Sequence, residues 1–172
     1  HDLAIETWLK NADWKTDPIN ARIYLESALD WIKHQEDQPE TPYNALERAC
    51  RRAFPDEQLS WDEINFHKVD ESLIIAGVEN CHGHNGVNGS RGSPAQFRAL
   101  GIPLNTGHTH SPSIYGKVYT AGVLASLDMG YNVGASSWTQ THLITYANGQ
   151  RTLIDFKNGK FKTSDQLLAK YK

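Results

Sequence analysis

Cysteine is scarce in this sequence: Cys50 and Cys81 are its only two in 172 residues. That is too few for a disulfide framework, and without a CxxC pair a structural zinc finger is unsupported, so the expectation is a chain that works with reduced thiols. No apolar run nears the ~20 residues that a membrane-spanning helix needs. A charged-then-apolar leader is also missing, which predicts a soluble, cytoplasmic protein. Neither sign of charge dominates. The net charge is −3, so bulk electrostatics do not announce a nucleic-acid binder. The densest basic run, "RACRRAF" at 48–54, reads equally well as a solvated helix face. Repeats and low-complexity tracts are absent. With 39% hydrophobic and 22% charged residues the chain has globular composition and enough length for a sizeable core.

Residues 1–70 read as helical. In "DPINARIYLESALDWIKHQ" (17–35) Ile19, Ile23, Leu25, Ala28, Leu29 and Ile32 recur at helical spacing, with Asp17 and Pro18 as a start signal. Thr41-Pro42 opens a second helix, and Ser60 with Glu63 forms a capping-box pattern for a third. From 71 to 172 the pattern changes. "SLIIAGV" suggests a buried strand, "SPAQFRAL" a helix closed by Gly101, "IPLNTG" and "KVYTAGVLA" strands, and Asn148-Gly149 a hairpin turn. "TSDQLLAKYK" reads as a closing helix. The expected class is α/β, with ligand loops at strand ends.

Two glycine-flanked His-x-His pairs follow predicted strands: His82 and His84 in "ENCHGHNGVNGSRGS", His108 and His110 in "NTGHTHSP". Neutral imidazole is the commonest metal-binding side chain. Extended backbone turns alternate residues to one side, so each pair can reach one ion or two adjacent ions. Cys81 offers a Cys/His zinc cage or a nucleophile as rivals. It stands alone in its loop, however, and extended backbone points adjacent side chains apart. Arg91 in "NGSRG" is suited to fork phosphate oxygens, among glycines whose N–H groups favour anions. Taken alone, it is equally well an exposed arginine on a turn.

The ordered set "HG…NGSRGS", "GHTHSP" and "LDMGYN…SSW…TH", spanning about residues 72–156, resembles the calcineurin-like metallophosphoesterases, and more closely their tailed-phage branch. "HD" at the first two positions resembles the end of that family's Gly-Asn-His-Asp/Glu motif. The resemblance implies part of a four-layer α/β/β/α sandwich and two divalent ions, manganese first, with zinc or iron as alternatives. It implies that His82 and His108 hold one ion and His110 the other. His1 would serve phosphate or leaving oxygen, with Asp2 orienting it, while Arg91 and His84 contact substrate. Trp138 and His142 also match family positions without an assigned role. The implied reaction is attack on a phosphate ester, most naturally DNA, by a water activated between two ions. The family's Asp-x-His and Gly-Asp motifs have no counterpart in this sequence. The resemblance therefore implies a partner chain or upstream segment that supplies them.

A phosphomonoesterase or protein phosphatase would use the same motifs. A different class of reading is a non-catalytic binding or assembly subunit, with Trp8, Trp14, Trp31 and Trp61 as an interaction surface. Composition leaves oligomerisation open.

Overall fold

The computed structural model describes residues 2–54, 60–67, 71–130 and 132–163, and divides the chain into two compact units, 1–69 and 70–172. His1, the side chain of Asp2 and the predicted closing helix lie outside the described residues.

The first unit is helical: α1 (Asp2–Asn11), α2 (Ala21–Asp37), α3 (Ala45–Ala53) and a short 3-10 turn at Trp61–Glu63. α2 starts later than Asp17-Pro18 suggests, because Asp17 instead closes a turn by accepting from the Asn20 side chain at 2.9 Å. α3 starts at Ala45 rather than at Pro42; Asn44 caps it by accepting from the Glu47 N–H at 3.0 Å. Ser60 makes no side-chain cap, and its helix shrinks to that 3-10 turn.

The larger correction concerns which face of α2 packs. Ile23, Leu25, Leu29 and Ile32 are exposed, whereas Ser27 and His34 are buried. The buried face is polar because a network holds it. Asp30 accepts from the Tyr43 hydroxyl at 3.0 Å and from Arg48 at 3.2 Å, with Arg52 at 3.6 Å. Arg48 also donates to His34 Nδ1 at 2.7 Å, and Nε2 lies 2.9 Å from the Thr41 carbonyl. Arginine cannot accept, so His34 is fixed as the tautomer protonated on Nε2. Burial, then the bond to Asp30, pushes the Tyr43 hydroxyl up to about 12. Asp30→Ala would leave two guanidinium groups and a hydroxyl without their common acceptor. We expect it to destabilise this unit by about 1–3 kcal/mol, read by thermal unfolding at pH 7. An unchanged transition would show that the network contributes nothing.

The second unit is mixed α/β. A five-stranded sheet runs in the order β1 (Leu73–Ile75), β2 (Val78–Asn80), β3 (Leu104–Thr106), β5 (Val118–Thr120), β4 (Ser113–Tyr115). A three-stranded antiparallel sheet follows, β6 (Gln140–Thr145), β7 (Arg151–Lys157), β8 (Lys160–Thr163). "SLIIAGV" is not one buried strand. Ala76 and Gly77 take left-handed φ of 49° and 75°, folding it into the β1–β2 hairpin with β1 exposed. β2, β3 and β5 pair in parallel. The β2-to-β3 crossover carries α4 (Pro94–Phe97), capped by Ser93, whose hydroxyl accepts from the Gln96 N–H at 3.3 Å. Phe97 packs on Leu104 and Val118, with Cys81 and Val87 against them. That small core anchors both histidine loops from beneath.

Candidate metal and phosphate site

The two histidine loops leave the C-terminal ends of neighbouring parallel strands, the end at which open α/β sheets place ligands. One atom joins them. The His82 carbonyl accepts both the Gly107 N–H, at 3.1 Å, and the His108 N–H, at 3.0 Å. Gly83, at φ +87°, presses on Thr106 so closely that a Cβ would lie 2.9 Å from the threonine Cβ. Beyond it the chain doubles back. The Gly92 N–H donates to the His84 carbonyl at 2.8 Å, and Asn85 bridges Arg91. A Cβ on Gly92 would clash with the Gly83 carbonyl oxygen.

This backbone gathers three imidazoles. Ring centroids lie 5.2 Å apart for His82 and His108, 5.3 Å for His82 and His84, and 6.2 Å for His84 and His108. His82 Nε2 and His108 Nδ1 approach to 3.3 Å. Burial draws both of these imidazoles below their ordinary value, and positive neighbours add to it. Those are His108, His84 and His110 around His82, and Arg91, His84 and His110 around His108. Arg91 is therefore close enough for its charge to be felt at His108, although it is solvent-exposed.

His110 is placed differently. It sits at a left-handed φ of 59°, its N–H donates to the Gly107 carbonyl, and its ring meets Trp138 edge-on at 4.4 Å. Beside it Ser111 and Ser137 share a 2.6 Å hydrogen bond. Sequence reading left Trp138 without a role and missed Ser137, since nothing local in "GASSW" signals a partner 26 residues earlier. His142 packs on Phe156 in the three-stranded sheet. Burial, then the Glu79 charge, pushes the Cys81 thiol up, which keeps it protonated and argues against a nucleophile.

Charge separates the units. Residues 1–69 hold 14 Asp or Glu against 8 Lys or Arg, and residues 70–172 hold 6 against 9. The arginines of "RACRRAF" are also engaged: Arg48 and Arg52 with Asp30, Arg51 with Glu47 at 3.0 Å. The second unit, where the imidazoles lie, thus carries a net positive formal charge.

The donor chemistry suits a divalent ion, since depressed imidazoles offer lone pairs without first losing a proton. Ligand nitrogens about 2.0–2.1 Å from one tetrahedral ion stand about 3.3–3.4 Å apart. The His82–His108 pair has that spacing. Among the described residues no group of three His, Cys, Asp or Glu side chains could hold an ion. The pair fits two corners of a coordination sphere and leaves the others to further donors.

The sign of the pH dependence follows from the shifts. A lowered imidazole value means that the folded chain binds fewer protons than the unfolded one around pH 6.5. The associated stability is full above that pH and fades as pH falls through the lowered value. Because both rings are well solvated, the energy involved is small. In proton NMR of the metal-free chain, His108 is expected to titrate below 6.5 and to move upward in Arg91→Ala. A His108 midpoint at or above 6.5 would contradict the clustering of positive groups around it.

An α/β unit that presents paired imidazoles and an arginine at parallel strand ends is the class of protein that fold and site define. Among known proteins, the chain is similar to "Protein A1" of Escherichia phage T5, 58% identical over 168 residues. That alignment covers 94% of this chain and 28% of the phage protein, so the chain spans under a third of its relative. No protein-family model matches the sequence, and no solved structure matches it. Among the described residues, no helix is long and apolar enough to cross a membrane.

Proposed function

We propose that this chain contributes part of the active site of a divalent-metal phosphoesterase of the calcineurin-like kind, acting on phosphodiesters and most naturally on DNA. The observation that carries the reading is the 3.3 Å approach of His82 Nε2 to His108 Nδ1. Two nitrogen ligands of one tetrahedral ion stand about 3.3–3.4 Å apart, so the pair needs little movement to share an ion. The ion, manganese in the first instance with zinc or iron as alternatives, would supply Lewis acidity at the phosphate oxygens. A second ion is assigned to His110. The shared His82 carbonyl, accepting the Gly107 and His108 N–H groups, holds the two loops side by side. Arg91 offers a planar fork to two phosphate oxygens. His84, beside the pair, contacts the ester, and His1 with Asp2 is assigned to proton delivery at the leaving oxygen.

The coordination sphere needs carboxylates, which this reading assigns to a partner chain or another portion of a longer polypeptide. That the phage relative extends far beyond the matched region supports this.

The test is metal content after dialysis against manganese, together with turnover of bis(p-nitrophenyl) phosphate and p-nitrophenyl phosphate. Metal uptake with preference for the diester is expected. Preference for the monoester would favour a phosphatase. A chain that takes up no metal, alone or with the rest of its polypeptide, would leave the binding-subunit reading in its place.

A further inference from the structure

α2 has two unlike sides. Toward the rest of its unit it turns Ser27, Asp30 and His34, held by hydrogen bonds from Arg52, Tyr43 and Arg48. On one flank Tyr24 and Trp31 meet α1: the Tyr24 hydroxyl donates to Leu9 O at 3.2 Å, and Lys10 Nζ lies 5.5 Å from the Trp31 ring centroid. On the opposite side Leu25, Leu29 and Ile32, at i, i+4 and i+7, are 46%, 54% and 56% exposed. Ala21 and Ala28 lie among them, partly exposed. The packed side is held by polar bonds, so this stripe is not what folds the unit. An apolar row at that spacing is what one helix offers to another.

The charges beside the stripe say what covers it. At 3.6 residues per turn, Arg22, Glu26, Lys33 and Glu36 all fall along one edge, on the Leu29 side. The other edge carries the uncharged Tyr24, Trp31 and Gln35. When two copies of such a helix pair end for end, like edges meet. Arg22 and Glu36 are each seven positions from Leu29, so each then faces the other across the pair. Glu26 and Lys33, three and four positions from Leu29, also come opposite one another. A parallel pair would instead set the charged edge against Tyr24 and Gln35, with no opposite charge to meet it.

We propose that α2 is a self-docking helix, and that a second copy of this chain packs antiparallel on the stripe of Leu25, Leu29 and Ile32. Leu29 meets its own copy on the two-fold axis, and the small Ala28 leaves a hollow for Ile32 of the second copy. The first unit carries the chain's excess of acid, so copies repel at a distance. At about 0.15 M salt that repulsion is screened beyond roughly 8 Å, while charges in contact still pair. The contact runs along about 25 Å of helix, which suits a dimer of roughly micromolar strength. It stands whether or not the imidazoles hold an ion.

The experiment is sedimentation equilibrium of the whole chain at neutral pH and about 0.15 M salt, up to about 100 μM. A dimer is expected. Leu29→Glu changes an exposed side chain and sets two carboxylates together on the axis, which should weaken association at least about tenfold. Arg22→Glu and Glu36→Arg each set like charges opposite one another and should each weaken it at least about threefold. The Arg22→Glu/Glu36→Arg double variant should return to the parent's affinity. Arg22→Glu also spoils the pair with Glu26 inside the helix, but the double variant shares that defect, so recovery isolates the contact between copies. A parent that stays monomeric at the highest concentration would overturn the self-pairing and pass the stripe to another portion of a longer polypeptide. A dimer untouched by Leu29→Glu, or charge changes that the double variant does not restore, would overturn it as well.

Discussion

Replacing His108 with alanine is expected to cost at least about a hundredfold in metal affinity, because even partners one shell away from a metal ligand are worth about 10–100-fold. Phosphodiester turnover should fall to background with it. The fold should survive. The His108 N–H that donates to the His82 carbonyl belongs to the backbone and remains in alanine. The side chain is partly exposed and outside the Phe97, Leu104 and Val118 cluster. A half-exposed surface substitution of this kind changes stability by about 0.5 kcal/mol or less. Three measurements on one preparation decide the matter: metal per chain, turnover, and the thermal transition. A folded His108→Ala chain that keeps its metal would falsify the assignment. Lost metal accompanied by lost structure would count against the independence of site and fold.

The second large effect is in the backbone. Gly92→Ala places a methyl group on the Gly83 carbonyl oxygen, with Phe97 Cζ only 3.2 Å away. The carbonyl belongs to the backbone and the Phe97 ring is buried in the core, so one backbone segment must move. Overpacking of this sort costs about 3 kcal/mol or more. For a chain of this size that corresponds to a melting point lower by roughly 6–12 °C. Gly89→Ala is the control. Gly89 has φ +76° with nothing within 4 Å of an added Cβ, so only the left-handed penalty of about 1–2 kcal/mol applies. Equal transitions for the two variants would mean that the close approach of residues 83 and 92 does not exist in solution.

Much of the second unit was legible in the residue order. Asn148-Gly149 marked the β6–β7 hairpin, and Ser93, Pro94 and Gly101 bracketed the short helix, because capping and turn chemistry are local. The histidine pairs were legible for the same reason: glycines beside imidazoles announce a loop that must turn tightly. α2 was misread because periodicity finds an apolar stripe without saying what it packs against. There Asp30 gathers Tyr43, Arg48 and Arg52, and the stripe of Leu25, Leu29 and Ile32 is left outward. The β1–β2 turn was hidden because Ala76 is a non-glycine at φ 49°. Trp138 and Ser137 were unassignable since their partners lie far away in sequence. His1 and the side chain of Asp2 fall outside what the structure describes.

The shared carbonyl of His82 also says something about the order of events in folding. His82 and His108 are separated by 26 positions and meet only when β2 and β3 lie side by side, with the α4 crossover already wound over them. Such a parallel pairing is non-local and slow to form. The imidazole pair is then a product of the finished sheet and not a seed for it. On the proposed metal reading, an ion offered to the unfolded chain would find scattered histidines and no seat, so metal would arrive last and lock what topology had already built.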